Sequence, residues 1–438
     1  MRLLLFFSLW STILATLVAT ASAATTVDVD VINIDLPSLI DQSIHYPNRF
    51  AVDVPHHVSV ESDGNWSVTG TTETWRYSVS IPSAISLSFH STHLSLPEDA
   101  QLVVRAGADT YTYRQGDVTR GELWSRITRG DVLQIELTLP SSERSKLVLE
   151  IESFQAGYRG LSPSVPNHPY YVRKTIQASG TSNSSCVQNY QCATTASNAG
   201  PGQATVALVI GNVGQCTGTL INTALNDGTP YILTARHCQA GLSSSGDSDV
   251  ANRVRVYWNS TSACGSPLAN IYSANNVVTQ DSGRTILEQE DAWLIQLDQN
   301  PLVNDAYFAG VDATDIATQG GYTIHHALSY AKQFTTWFGQ AAARTDAAST
   351  SGFPYPSHFW EVVNATGNIA PGASGAALFN QNDRVTGTLT YGRNVADSSG
   401  YESCPASNPP VPNGTNGVAD FTSIAAIWNS TRDTTSTT

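Results

Sequence analysis

Through most of residues 26–160, apolar side chains alternate with polar ones at a period of two. Successive side chains of a strand point to opposite faces, so such a run buries one face only as a β-strand. Trp75, Tyr77, Val79 and Ile81 share a face, as do Ile85, Leu87 and Phe89, and the pattern returns over 132–139 and 147–151. Turn signals fall between the runs, at Gly107-Ala108-Asp109 and Pro140-Ser141-Ser142, as in a sandwich of antiparallel sheets. The second half carries strand-like runs at 204–210, 231–234, 254–258, 293–297 and 385–391, and one fair helix candidate at 421–428. The expected class is all-β in both halves.

A chain of 438 residues with 41% hydrophobic content fills two or three domains with buried cores. Charged residues are only 13%, and acids exceed bases by 36 to 22 for a net charge of -14. That field repels a phosphate backbone or an anionic lipid surface, which excludes nucleic-acid and membrane-surface binding as first readings. The first 23 residues read as a signal peptide: Arg2, an apolar stretch from Leu3 to Val18 broken by Ser8, Ser11 and Thr12, then Ala21-Ser22-Ala23 as a cleavage site. Secretion follows. Residues 24–160 form the sandwich domain. Residues 161–185, with Pro163, Pro166, Pro169 and the basic pair Arg173-Lys174, read as a linker carrying a maturation site. The second domain spans 186–428 and a Ser/Thr-rich tail spans 429–438. All six cysteines lie beyond residue 185, an even set suited to three disulfides in an oxidising compartment, with 15 pairings open to sequence alone. His56-His57 reads as a surface pair, and neither a metal nor a cofactor is expected, since no HExxH or Cys-x-x-Cys pattern occurs.

Three segments of the second domain carry chemistry. Thr234-Ala235-Arg236-His237-Cys238 closes an apolar strand with a histidine; Glu290-Asp291-Ala292-Trp293 puts an aspartate at the entrance to another; Pro371-Gly372-Ala373-Ser374-Gly375-Ala376 sets a serine in a turn of small residues. Each alone has an ordinary structural explanation. Together they supply a weak nucleophile, Ser374, a base to activate it, His237, and a carboxylate to fix the tautomer of that base, Asp291. The backbone N–H groups of Gly372 and Ser374 are the candidate oxyanion donors.

In this order and spacing the second half resembles the trypsin-like serine endopeptidases of the chymotrypsin fold, and among them the bacterial lysyl endopeptidases. Cys216-Thr217-Gly218-Thr219-Leu220-Ile221 and Ile324-His325-His326 add local matches. The resemblance implies a two-barrel protease domain, with the sandwich as its own propeptide, a partner that aids folding or inhibits until removed. It implies the disulfides Cys186–Cys404, Cys192–Cys264 and Cys216–Cys238. It implies that Thr390, Tyr391 and Gly392 align a protein or peptide substrate; a monomer is expected, although the sequence does not fix the oligomeric state. The chain departs from the family at the specificity pocket: Asn413 stands where lysyl endopeptidases have an aspartate, and Asn368 where trypsins have one. A buried ammonium without a partner charge is costly, so such a pocket favours neutral or aromatic side chains. Basic specificity stays open through Asp397, Glu402 or Asp420, and a chain with three lysines against 19 arginines suits a lysine-directed protease that spares itself. The rival from another class is a binding or adhesion protein built on an inactive protease-like domain. An α/β-hydrolase esterase fails on the missing Gly-x-Ser-x-Gly elbow.

Overall fold

The computed structural model describes residues 28–43, 48–158, 188–195, 197–239, 242, 249–266, 268–271, 277–346, 357–367, 369–393 and 418–435. The leader, the linker and the Cys186 and Cys404 positions lie outside them. The strands among the described residues fall into four sheets.

The first two sheets face each other over residues 29–157. One runs in the order Val29–Val31, Thr72–Ser80, Val132–Pro140, Gln101–Ala106, Asp109–Tyr113, with Asn65–Thr69 added beside Thr72–Ser80. The other runs Ala51–Ser59, Val148–Gly157, Ser86–Ser95, Leu123–Trp124, with Thr128–Arg129 also on Ser86–Ser95. All pairings are antiparallel except that of Val29–Val31. The period-two faces meet in one core: Trp75, Val79, Leu87, Phe89, Leu137, Ile151 and Phe154 are buried together. Each such side chain contributes roughly 1.5–3 kcal/mol of burial, which is what the alternation in sequence encodes. Gly107 takes a φ of +54° in the tight turn between Gln101–Ala106 and Asp109–Tyr113, where a branched side chain would be strained.

The other two sheets form the chymotrypsin-like part. In the N-terminal one the order is Val278–Asp281, Val254–Trp258, Thr205–Ile210, Gly214–Ile221, Tyr231–Ala235, Ala292–Leu297, Gly283–Gln289. In the C-terminal one, Gln333–Asp346, Gln319–His325, Ala377–Phe379, Val385–Arg393, Val418–Ser423 and Ser357–Thr366 follow one another, and the last pairs back onto the first. That sheet is a closed barrel. Gln188–Asn189 adds to its outside edge on Gln333–Asp346.

Thr205–Ile210 is buried at every position because it has a core on each side. Val206, Leu208 and Ile210 fill the inside of the sheet, whereas Ala207 and Val209 pack with Val213, Tyr257 and Ile271 against Phe50, Ala51 and Ile127 of the N-terminal unit. Polar contacts extend this junction: Arg255 donates to the carbonyls of Trp124 (2.6 Å) and Ser125 (3.2 Å), and Arg120 pairs with Asp298 at 3.1 Å.

The helix expected at 421–428 is displaced. Residues 418–423 continue the barrel, with Phe421 beside Trp360 and Leu389, and the helix is Ile424–Thr435. Residues 429–435 of the expected tail therefore belong to it. Phe421 is apolar enough for either state, and cross-strand partners on both sides decide for the strand.

Candidate active site

His237 and Asp291 meet across neighbouring strands. Tyr231–Ala235 pairs with Ala292–Leu297, Ala235 opposite Ala292, so the residues just beyond each end come together. The Arg236 N–H donates to the Asp291 carbonyl at 2.7 Å, and Glu290 takes a φ of +52° to turn the chain there. One carboxylate oxygen of Asp291 accepts from the His237 N–H at 2.9 Å and the other contacts His237 Nδ1 at 2.8 Å. The Asp291 side chain has no exposed surface and that of His237 only 9%. A carboxylate only accepts, so Nδ1 carries a hydrogen, which in the neutral ring leaves the lone pair on Nε2.

Ser374 sits on a turn that two glycines make possible. Gly372 has φ +96°, and a Cβ there would lie 2.1 Å from Gln215 Oε1; Gly375 has φ +83°, and a Cβ there would lie 2.1 Å from Thr234 Oγ1 and 2.8 Å from the Ala235 nitrogen. Gly375 is thus pressed onto the strand that delivers His237. The Thr217 N–H donates to the Ser374 carbonyl at 2.8 Å and Thr217 Oγ1 donates to the Gly372 carbonyl at 2.8 Å. Gln215 is the second brace: its Nε2 donates to the carbonyls of His326 (2.7 Å), Cys216 (3.2 Å) and Gly372 (3.3 Å), while its Oε1 accepts from the Ser329 N–H at 3.1 Å. Gln215 and Thr217 escape a search for reactive side chains. Their signal is only that two polar residues flank Cys216 in a strand buried along nearly its whole length.

Inside the turn lies an oxygen from the N-terminal unit. Asn48 Oδ1 accepts from the Gly372 N–H at 3.2 Å and from the Ser374 hydroxyl at 3.4 Å, and the Asn48 carbonyl accepts from the Gln215 N–H at 3.0 Å. Nothing in the sequence around Asn48 marks it for this place.

His326 is fully buried against Tyr330, whose carbonyl lies 3.0 Å from His326 Nδ1, and burial with the nearby Lys332 charge lowers its pKa to about 3. It is a neutral packing residue that positions Gln215, not a base. Thr390 is buried too, its hydroxyl 2.7 Å from that of Thr422 inside the barrel, so its side chain is turned from any substrate. Tyr391 and Gly392 are half-buried beside it. Asp420 has no exposed surface and one oxygen lies 3.2 Å from Arg344 Nη1. Asn368, Asp397, Glu402 and Asn413 lie outside the described residues. Cys192–Cys264 and Cys216–Cys238 are bonded, the second tying the Ser374-bracing strand to the residue after His237.

A six-stranded closed barrel, a further seven-stranded sheet, and a buried His–Asp pair at the end of the strand on which the glycine-framed Ser374 turn packs are the features of the trypsin-like class with the chymotrypsin fold. Residues 179–403 match the family model described as the C-terminal domain of lysyl endopeptidase, and the chain belongs to that family. It is 27% identical over 275 residues to the lysyl endopeptidase of Pseudomonas aeruginosa, an alignment covering 58% of this chain and 54% of that protein. The chain thus spans about half the length of the curated relative it matches. Two crystal structures of Rv3671c are also similar, one titled a mutant from M. tuberculosis H37Rv and one a protease, both in an inactive form. Each shows 12% identity and a TM-score of 0.33, covering 54% of this chain and 89% or 90% of the other.

Proposed function

We propose that this chain is a secreted serine endopeptidase made as a precursor, hydrolysing peptide bonds through an acyl-enzyme on Ser374. The observation that carries the reading is the two-point grip of Asp291 on His237 beside the Ser374 turn. With Nδ1 protonated, Nε2 takes the Ser374 proton as Oγ attacks the scissile carbonyl, and Asp291 stabilises the imidazolium that results. The Gly372 N–H, with that of Ser374 beside it, meets the developing oxyanion; a donor of this kind is worth roughly 3–4 kcal/mol in the transition state. The imidazolium then protonates the leaving amine, and water repeats the sequence on the acyl-enzyme. The backbone of Thr390–Gly392 would pair with the substrate strand. No cofactor enters any step.

For specificity, the ion pair of Asp420 with Arg344 favours a neutral pocket. Arg344, which also pairs with Glu361, meets one oxygen of Asp420 and offsets part of its charge toward a lysine head group, and Asn368 and Asn413 carry no charge. Profiling the processed enzyme on a peptide library tests this: cleavage after neutral or aromatic residues supports it, and cleavage confined to lysine overturns it while leaving the serine mechanism standing. A fluorescent phosphonate separates the enzyme from the inactive adhesion protein, because only an activated Ser374 is labelled.

A further inference from the structure

Asn48 lies 326 residues before Ser374 and in a different unit of the fold, yet its side chain reaches the Ser374 turn. Its placement is fixed at three points. The Gly372 N–H can only donate, and its 3.2 Å contact settles which end of the carboxamide faces it: the oxygen. The amide nitrogen then points at Cys216 Sγ, 3.5 Å away on the disulfide. The backbone that follows the carboxamide is held as an added strand: the Gln215 N–H donates to the Asn48 carbonyl at 3.0 Å, Arg49 bridges Gly214 in antiparallel register, and the Phe50 N–H donates to the Val213 carbonyl at 2.9 Å. Phe50 is only 3% exposed and shares a core with Val209, Val213 and Tyr257, so this strand is anchored by apolar packing as well as by its ladder.

We propose that Asn48 is an oxyanion-hole plug: its side-chain carbonyl occupies the position of a scissile carbonyl oxygen, and the N-terminal unit thereby holds the protease latent. The proposal rests on the reading of Ser374 as nucleophile and gives the regulation of that same site.

The chemistry explains why the plug inhibits and is not consumed. An attacking hydroxyl must approach the carbonyl carbon and pass its proton to His237 Nε2. Here the Ser374 hydroxyl, with its single proton, donates to the carbonyl oxygen of Asn48. The nucleophile is bonded to the wrong atom of the group and its proton is turned from the base. The carboxamide is also a side-chain branch, so the group placed at the serine is not a peptide bond of the main chain. Meanwhile the donor of Gly372 is satisfied, so a substrate carbonyl must displace Asn48 before it can be polarised. The junction around it, with Arg255 held by the Trp124 and Ser125 carbonyls and Asn212 donating to the Ser125 carbonyl at 2.8 Å, is made by non-covalent contacts between described residues of the two units. Cutting the linker alone therefore leaves the plug in place, and activation requires release or digestion of the N-terminal unit.

The test is the rate at which a fluorescent fluorophosphonate labels the uncleaved full-length chain, resolved from processed forms on a gel, with Ser374→Ala as blank. Three chains are compared: the natural sequence, Asn48→Ala and Asn48→Leu. The leucine keeps the bulk of the asparagine and removes its oxygen, and it covers the case in which the alanine chain fails to melt cooperatively. The expected result is slow labelling of the natural chain and a rise of roughly tenfold or more for both variants, as the loss of one or two hydrogen bonds at a buried site implies. Slow labelling retained by Asn48→Leu in a folded chain overturns the oxygen's role. Equal, fast labelling of all three overturns the plug but leaves the nucleophile reading in place. No labelling of any chain, even after proteolytic removal of the N-terminal unit, overturns the nucleophile reading itself.

Discussion

Asp291 holds His237 through two different groups, the main-chain N–H at 2.9 Å and the ring Nδ1 at 2.8 Å, from a position with no solvent exposure. The first contact fixes where the residue sits and the second fixes which ring nitrogen bears the proton. Asp291→Asn keeps a carbonyl or an amino group for each contact but can no longer enforce the tautomer. The expected outcome is a fall in kcat on the order of 10³–10⁴ with a melting temperature close to that of the parent, checked by peptide hydrolysis and calorimetry on the processed enzyme. A loss below about tenfold would separate Asp291 from the chemistry.

Gln215 offers a different kind of test, since it touches no substrate. Its amide braces the carbonyls of His326, Cys216 and Gly372 from a site 3% exposed. Gln215→Ala should cost about 2–4 kcal/mol in denaturant unfolding, through unsatisfied carbonyls and a cavity. It should also lower kcat more than it raises KM, because the oxyanion donor of Gly372 loses its support. A pure stability loss with normal kcat would show that the turn holds its shape without this brace.

His326 predicts an acid limb of stability. Its folded pKa is about 3 and its ordinary value 6.5, lowered by burial first and then by Lys332. Between these values the unfolded chain binds a proton that the folded chain refuses, so stability is full above about pH 6.5 and falls as pH drops toward 3. The loss across that window is on the order of a few kcal/mol. His326→Asn can retain a donor to the Tyr330 carbonyl without a titrating group, and should flatten the curve between pH 6.5 and 4. An unchanged slope would assign the acid sensitivity to other groups.

Cys216–Cys238 closes a loop of 22 residues around the strand that leads to His237. Replacing both by alanine should destabilise the chain by about 3 kcal/mol through the freed unfolded state. The N–H of His237 is still held by Asp291, so residual activity should persist below the lowered melting temperature. Complete loss of hydrolysis in a folded double variant would mean that the bridge also sets the geometry of the site.

Much of this was legible from side-chain type and spacing. The alternation around Trp75, Leu87 and Ile151 encodes the two facing sheets, because period two and burial on one face are the same fact. His237 and Asp291 were visible because each ends or begins an apolar strand, and neighbouring strands bring such ends together. What could not be read was anything set by packing between distant segments. Phe421 could serve helix or strand until Trp360 and Leu389 lay on either side. That the Thr390 hydroxyl is committed to Thr422, leaving only the backbone of that strand for a substrate, is likewise a matter of tertiary packing. Asn48 and Gln215 carry ordinary polar amides, and only tertiary placement gives them an oxyanion position and a carbonyl lattice to occupy. The run at 204–210 reads as a strand from sequence, but that it is covered on both faces, with the N-terminal unit as the second cover, is set by packing alone.

The most direct measurement is mass spectrometry of the processed protein after reaction with a small organophosphonate, compared with hydrolysis of a peptide substrate by Ser374→Ala. The account predicts one covalent adduct, located on Ser374, and no measurable turnover by the alanine chain above the uncatalysed rate plus the residual contribution of binding and the oxyanion hole. An adduct elsewhere, or near-normal turnover without the Ser374 hydroxyl, would contradict it.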